Sequence, residues 1–190
     1  MRTSIISEIE QYQPFNEQEA ADKQVILSFL KNSDDIFLRE NLAAHMTASS
    51  WIISPDGSKV LMAYHNIYKS WAWLGGHADG CEDLLAVALK EAREESSISE
   101  IHPVFTNIFS LETLSVDGHV KRGKYVPTHL HLNVTYLLQA DDSQFVHNKA
   151  DENSAVGWIN RDEVIVKVSE PWFAEHIYRK LNAKLDILGL

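Results

Sequence analysis

Three glutamates at helical spacing are the residues of this sequence best suited to chemistry. Glu91 and Glu95 are four residues apart and Glu94 precedes Glu95, in the stretch "LKEAREESSI". If residues 82–96 form a helix, the three carboxylates project from one edge of it, where like charges repel by roughly 0.2–0.5 kcal/mol per pair. Hard oxygen ligands of this kind bind Mg²⁺ or Mn²⁺, and Mg²⁺ commonly shares substrate phosphates. The cluster therefore predicts a divalent-cation site suited to phosphate chemistry.

Several residues around this segment are candidates for substrate contacts. The double glycine Gly75-Gly76 lets the backbone approach a metal or phosphate closely, and His77 follows it directly. His129 and His131 are two residues apart on a predicted strand and so face the same way. Such histidines bind phosphate, transfer protons near neutral pH or ligate metal. The alternative is that both are structural side chains on one strand face, with their hydrogen bonds satisfied within the fold.

Aromatic residues next to the double glycine offer a place for a base. Trp73 and Trp71 are two residues apart, and a nucleobase stacks well on such a ring. The alternative is that both rings pack beneath the glycine-rich loop. A further histidine, His45, is interpreted mainly as structural.

Composition excludes several function classes. The 190 residues carry 27 acidic and 17 basic side chains, a net charge of −10, which argues against a basic surface for nucleic acid or anionic membranes. One cysteine permits no internal disulfide, and the sequence has no signal-like or membrane-spanning apolar run. We therefore expect a cytoplasmic protein with a small-molecule substrate and neither a nucleic-acid nor a membrane partner.

The periodicity predicts strands and helices of a mixed α/β/α sandwich. A helix over 16–32 starts at Asn16 with Glu19 three residues on, as in a capping box. A second helix over 82–96 buries Leu85, Ala88, Leu89 and Ala92. Strands are expected over 46–54, 59–65, 103–116 (a pair or a bent strand), 128–140 and 155–159, polar loops over 118–124 and 141–154, and a C-terminal helix from Pro171.

The acidic segment resembles the Nudix box, whose pattern is G-x5-E-x7-R-E-U-x-E-E-x-G-U with U a bulky apolar residue. Two positions depart from the pattern: Lys90 stands in place of its arginine and Ser97 in place of its second glycine. The flanking sequence resembles a bacterial branch of MutT-like Nudix hydrolases that has an N-terminal helical extension and an H-x-H strand. The matching positions are Gly76, Glu82, Glu91, Glu94, Glu95 and Ile98.

This resemblance implies a fold and an activity. The fold is the Nudix α/β/α sandwich, with a mixed sheet and a loop-helix-loop catalytic motif. A single domain spans 1–190, with a helical extension over 1–41, the box over 75–98 and a C-terminal helix over 171–190. The implied reaction is Mg²⁺- or Mn²⁺-dependent hydrolysis of a pyrophosphate linkage in a nucleoside diphosphate derivative.

The resemblance also implies roles for individual residues. Glu91, Glu94 and Glu95 are expected to be catalytic and to bind metal, and Lys90 to orient a glutamate. The Gly75 carbonyl and Glu152, an acid in a late loop, complete the expected metal ligands, whereas Glu82 is expected to tie the loop to the helix. The expected substrate contacts are His77, Trp73, His129 and His131.

Two other functions are compatible with this sequence. The departures at Lys90 and Ser97 leave open a Nudix-like binding or sensor domain with little turnover. An isoprenoid-diphosphate isomerase shares the fold but needs a catalytic cysteine, and Cys81 lies in the box loop, where we interpret it as a small filler. The sequence does not select among nucleoside triphosphates, ADP-ribose, dinucleoside polyphosphates and sugar nucleotides, and it leaves a homodimer open.

Overall fold

Two long strands that run in parallel form the centre of the molecule. The computed structural model describes residues 2–66, 69–121, 123–147 and 153–190. The strand Ala44–Ile53 is buried along its whole length, and it pairs with His129–Ala140 from Ala44↔Leu130 to Ile53↔Gln139. Burial on both faces requires a covering layer on each side of the sheet.

The remaining strands extend this pair into a mixed sheet, as predicted. In chain order the strands are β1 (Ala44–Ile53), β2 (Lys59–His65), β3 (Ser70–Ala72), β4 (Leu74–His77), β5 (Ile101–Pro103), β6 (Ser110–Val116), β7 (His119–Lys121), β8 (Lys124–Val126), β9 (His129–Ala140) and β10 (Asn153–Asn160). The main sheet has the order β10-β2-β1-β9-β5, with β3 paired to β2, β4 to β1 and β6 to β9. The pairing of β4 with β1 brings the double glycine to the centre of the sheet.

Helices cover both faces of this sheet. They are α1 (Arg2–Gln11), α2 (Glu17–Asn32), α3 (Leu84–Ser96), the short α4 (Val164–Lys167) and a C-terminal segment made of α5 (Pro171–Phe173), a π-helical turn (Ala174–Tyr178) and α6 (Arg179–Leu188). Helix α3 lies against β1 and β4, where the Ser50 hydroxyl donates to the Ala88 carbonyl. On the opposite face, the Tyr178 ring stacks on Trp51 at 5.4 Å. The predicted α/β/α sandwich is therefore confirmed.

Local signals in the sequence account for most element boundaries. The Asn16 side chain accepts from the Glu19 N–H at 2.9 Å and so caps α2, as the capping residues predict. Pro171 begins the C-terminal helical segment, and Gly57 at φ +69° closes the β1–β2 hairpin. None of the helices in the described ranges is long and apolar enough to span a membrane.

Three element predictions need correction. The predicted polar loop over 118–124 belongs to a hairpin of β7 and β8, because Gly123 at φ +79° permits a tight turn inside a polar sequence. The strands within 101–116 do not pair with each other, since both β5 and β6 pair with β9. Leu85 and Leu89 are only half-buried, because α3 is rotated to bury Leu84, Val87, Ala88, Ala92 and Glu95.

Candidate functional site

The predicted glutamate cluster lies where α3 meets β4. Gly76 faces the helix, and a Cβ atom at Gly76 would lie 2.7 Å from Glu91 Oε2. The Glu91 carboxylate therefore occupies the space that any side chain at position 76 would fill. A strand and a helix separated by the loop 78–83 are brought together at this contact.

The three carboxylates differ in exposure. The Glu91 side chain is 15% exposed and that of Glu94 is 45% exposed, whereas Glu95 is buried. The Asn153 side-chain amide lies 3.5 Å from Glu95 Oε2. The cluster therefore opens towards solvent on the side of Glu94.

A single lysine connects two of these carboxylates. Lys90 Nζ lies 2.8 Å from Glu91 Oε1 and 3.3 Å from Glu94 Oε1. The hydrogen bond to Glu91 raises the pKa of Lys90, so the ammonium form is stabilised. Lys90 thus offsets part of the repulsion between Glu91 and Glu94.

Gly75, the first glycine of the pair, is required by backbone packing. A Cβ at Gly75 would lie 2.6 Å from the Ala48 carbonyl oxygen and 2.8 Å from Ser49 Cα. Strand β4 thus approaches β1 more closely than a residue with a side chain allows. The close packing of β4 on β1 sets the position of Gly76 relative to Glu91.

Four histidines form a cluster on the other face of the same strands. His77 faces away from α3 because it follows Gly76 on β4, and β1 and β9 contribute His45, His129 and His131. The ring centroids of neighbouring members lie 4.8–5.1 Å apart. The structure therefore brings the three predicted histidines together and adds His45.

Burial keeps two of these rings uncharged. Burial lowers the pKa of His131 to about 2, and the nearby His77, His45 and His129 rings lower it further. Burial also lowers the pKa of His45, an effect that the hydrogen bond to the Asn41 carbonyl opposes. Both side chains are therefore neutral imidazoles at physiological pH.

The other predicted site residues lie in different surroundings. Trp73 packs edge-to-face on Tyr178 at 5.7 Å, and its backbone N–H lies 3.3 Å from the Tyr178 hydroxyl. This contact agrees with the packing alternative for Trp73. Cys81 is exposed, and Glu152 lies outside the described residues.

Comparison with known protein families assigns the chain to a family. Residues 44–181 match the model of the NUDIX domain, which spans most of the chain. The chain belongs to the Nudix family. The matched region contains the glutamate cluster and the four histidines.

Solved structures confirm the Nudix fold. A Nudix-family hydrolase from Clostridium perfringens has a TM-score of 0.53 at 20% identity, covering 76% of this chain and 97% of that chain. The dihydroneopterin triphosphate pyrophosphohydrolase of E. coli has a TM-score of 0.54 at 13% identity, with coverage of 70% and 94%. An Ap4A hydrolase binary complex from C. elegans has a TM-score of 0.50 at 17% identity, with coverage of 76% and 98%. A comparison with curated protein sequences gave no significant match.

The first glutamate of the Nudix box contacts the N-terminal helix. Glu82 Oε2 accepts from the backbone N–H of Arg2 at 2.8 Å, at the start of α1. The Arg2 guanidinium donates to the carbonyls of Leu30 and Ser33 at the end of α2. Glu82 and Arg2 together therefore connect the box loop to both helices of the N-terminal extension.

The second glycine position of the Nudix box is occupied by a strained serine. Ser97 ends α3 in the left-handed conformation, with φ 60° and ψ 12°, and its hydroxyl donates to the His147 carbonyl at 3.2 Å. A left-handed residue with a Cβ costs roughly 1–2 kcal/mol, and glycine avoids most of that cost. The helix thus ends as the box pattern requires, but with strain.

Substituting Ser97→Gly is expected to stabilise the protein. Relief of strain outweighs the exposed hydrogen bond, so the free energy of unfolding rises by about 0.5–1 kcal/mol. For a chain of this size that corresponds to a gain of roughly 1–4 °C in Tm. Thermal unfolding followed by circular dichroism measures this gain. Ser97→Ala, which keeps the strain and loses the hydrogen bond, should be less stable than wild type, and a Ser97→Gly variant no more stable than Ser97→Ala would contradict the argument.

Gly75 and Gly76 are expected to respond differently to substitution by alanine. Gly75→Ala drives a methyl group into the β1 backbone and should lower the free energy of unfolding by about 1–3 kcal/mol. Gly76→Ala meets the end of the flexible Glu91 side chain, so the fold persists while the carboxylate is displaced. A displacement of this kind should lower the turnover proposed below by about 10²-fold. Denaturant titration and kinetics of both variants measure the contrast, and equal losses of stability would contradict it.

Proposed function

We propose that this Nudix protein hydrolyses a pyrophosphate linkage in a nucleoside diphosphate derivative, with a divalent cation at Glu91, Glu94 and Glu95. Membership of the Nudix family supports a hydrolase that acts on phosphorus-containing acid anhydrides. The observation that carries the proposal is the contact of the Glu91 carboxylate with Gly76, where a side chain is excluded. The Glu91 carboxylate of the acidic helix therefore lies directly against the glycine backbone.

The donor atoms near Gly76 are of the type that a hard cation prefers. Three carboxylates lie within five residues of one helix, with Gly75 and Gly76 beside them, and all of these groups offer oxygen atoms. Glu91, Glu94, Glu95 and the Gly75 carbonyl would hold the ion. A bound Mg²⁺ or Mn²⁺ neutralises phosphoryl oxygens and lowers the pKa of a coordinated water.

The protein groups around this point have separable tasks. Glu91 is held between Gly76 and Lys90, which orients its carboxylate to accept a proton. Lys90 lacks the planar fork of arginine, so it orients Glu91 through one hydrogen bond rather than two. His77 directly follows the glycines but lies on the opposite face of β4 from Glu91, so it does not face the carboxylates. Trp73 directly precedes β4 and is half-buried against the Tyr178 ring.

Named substrates of related structures support the substrate class. Two of the solved structures are an Ap4A hydrolase and a dihydroneopterin triphosphate pyrophosphohydrolase. Both names indicate hydrolysis of a polyphosphate compound. We therefore propose a nucleotide-like polyphosphate as the substrate.

A substrate panel tests this proposal. Purified protein is incubated with nucleoside triphosphates, dinucleoside polyphosphates, ADP-ribose and sugar nucleotides, each with Mg²⁺ or Mn²⁺, and the products are separated chromatographically. The matched variant is Glu94→Gln, because Glu94 is exposed and its replacement leaves the core untouched. Turnover of one class that is lost in the variant supports the hydrolase. Thermal stabilisation by one nucleotide without turnover in either metal would contradict it and favour a binding domain.

A further inference from the structure

We propose that His45, His77, His129 and His131 form a second metal site, for a transition-metal ion of the Zn²⁺ type. The site lies on the sheet face opposite the Nudix helix, so it is separate from the glutamate cluster. It does not rest on the proposed hydrolase activity, since its ligands and its preferred metals are different. Carboxylates suit Mg²⁺ and Mn²⁺, whereas imidazole suits Zn²⁺, Co²⁺, Ni²⁺ and Cu²⁺.

The ligand atoms already converge. One ring nitrogen each from His45, His77 and His131 lies within 4.8 Å of the other two. Pairing within the sheet enforces this convergence, because His45 is paired with His131 across β1 and β9, and His77 with Thr47 across β4 and β1. A site built from three adjacent strands is rigid, which lowers the entropic cost of binding an ion.

Hydrogen bonds orient two of the imidazoles for metal binding. His45 Nδ1 lies 3.1 Å from the Asn41 carbonyl oxygen, and His129 Nδ1 lies 2.8 Å from the Pro127 carbonyl oxygen. A carbonyl oxygen only accepts, so both Nδ1 atoms carry hydrogen and both Nε2 atoms present a lone pair. A backbone carbonyl on the far nitrogen is the usual support of a metal-bound histidine.

His45 supplies the observation that favours a cation. Its side chain is buried, with a relative exposure of 5%, and Nε2 has no hydrogen-bond partner within the described part of the chain. Burial of an acceptor without a partner destabilises the folded protein. A metal ion among the four rings would give this lone pair a partner.

The spacing of the rings suits a tetrahedral ion. His129 Nε2 and His131 Nε2 are 3.2 Å apart. Zinc–nitrogen bonds of 2.0–2.1 Å at tetrahedral angles place neighbouring nitrogens roughly 3.3 Å apart. The His77 and His131 side chains both retain some solvent exposure, so side-chain rotation can close the remaining distances. When the ion binds, His129 gives up its hydrogen bond with His131 and becomes the fourth ligand of the metal.

The charges near the cluster do not oppose a cation strongly. Arg39 is the cation that acts on both His45 and His131. Its guanidinium makes two hydrogen bonds of 2.5 Å to the Asp79 carboxylate, which offsets its charge. Neutral imidazoles in this setting offer lone pairs to a cation and little to an anion.

Metal titration of the whole protein tests the site. Chelator-treated protein is titrated with Co²⁺ in excess Mg²⁺, which occupies the carboxylates, and visible absorption is recorded before displacement by Zn²⁺. We expect one equivalent of Co²⁺ to bind, with the strong visible bands of a four-coordinate ion. His77→Ala and His131→Asn should each weaken binding by tenfold or more, and His129→Ala should weaken it less.

Matched controls separate this site from the glutamate cluster. His102→Ala removes an exposed histidine that pairs with Glu100, and Glu94→Gln alters the carboxylates. Both control variants should bind Co²⁺ as wild type does, and circular dichroism verifies that all variants are folded. The proposal is overturned if wild type binds no Co²⁺ in excess Mg²⁺, if the histidine variants bind as tightly as wild type, or if Glu94→Gln alone abolishes binding.

Discussion

Replacing Glu91 by glutamine is expected to lower kcat for pyrophosphate hydrolysis by about 10³-fold, because the proposed cation site loses a ligand. A loss of roughly 4 kcal/mol of transition-state stabilisation corresponds to this factor. The amide keeps the shape of the side chain but removes its charge. Lys90 Nζ then keeps Glu94 but loses Glu91 as a charged partner. Steady-state kinetics over a range of Mn²⁺ concentrations should show a higher metal requirement as well as a lower kcat.

Stability measurements distinguish a catalytic role of Glu91 from a structural one. The Lys90–Glu91 pair is largely exposed on the lysine side, so its loss should change the free energy of unfolding by less than about 1 kcal/mol. Glu100→Gln, an exposed glutamate shortly after α3, serves as the control and should retain wild-type kinetics. A Glu91→Gln variant with unchanged kcat and unchanged metal requirement would exclude Glu91 as a ligand.

The glutamate cluster could be predicted from the sequence because its parts are local. Glu91, Glu94 and Glu95 belong to one helix, and the helical period alone gives their relation. Gly76 precedes that helix by a short loop, so the box pattern contains both sides of the contact. The exposure of each carboxylate was not predictable, because it depends on how α3 rotates against the sheet.

The histidine cluster could be predicted only in part. The spacing of His129 and His131 shows that they share a strand face, but no local signal connects them to His45. Their proximity follows from the parallel pairing of β1 with β9, whose residues are more than eighty positions apart. The sequence alone therefore favours a structural role for His45 and does not indicate that it belongs to the cluster.

A buried ion network escaped prediction for the same reason. The sequence predicts Glu19 as a capping residue of α2, and its Oε2 does accept from the Phe15 N–H at 2.8 Å. Its other oxygen lies 2.8 Å from Lys184 Nζ and 3.3 Å from Lys180 Nζ, both on α6. Lys180 also contacts Glu112 of β6 at 3.0 Å. Two acids and two lysines from distant segments thus neutralise one another in the interior.

Glu19→Gln is expected to lower the free energy of unfolding at neutral pH by about 3–5 kcal/mol, because it leaves a positive charge uncompensated in the interior. Glu19 is fully buried, and the side chains of Lys180 and Lys184 are nearly so. The same substitution weakens contacts that connect α2, β6 and α6, including the Ser110 hydroxyl at 2.6 Å from Glu19 Oε1. Denaturant titration at pH 7 measures the loss.

Two further variants assign this loss to the buried charge. Glu17→Gln changes an exposed glutamate in the first turn of the same helix and should cost less than about 1 kcal/mol. Adding Lys184→Met to Glu19→Gln restores neutrality and should recover part of the stability, giving a coupling energy in a double-mutant cycle. Additive losses in that cycle would show that Glu19 and Lys184 do not interact in the folded protein.

The pH dependence gives an independent measure of the same interaction. Burial raises the pKa of Glu19, but Lys180 and Lys184 outweigh it and hold the value at about 2, below the usual 4.5. Because the folded pKa is depressed, the stabilisation is fully present above pH 4.5 and is lost as pH falls towards 2. In that window the wild type should lose up to about 1.4 kcal/mol per pH unit from this group, and Glu19→Gln should lack this component. Parallel stability–pH curves for the two proteins would mean that Glu19 titrates alike in the folded and unfolded states, and the network would then contribute nothing to acid sensitivity.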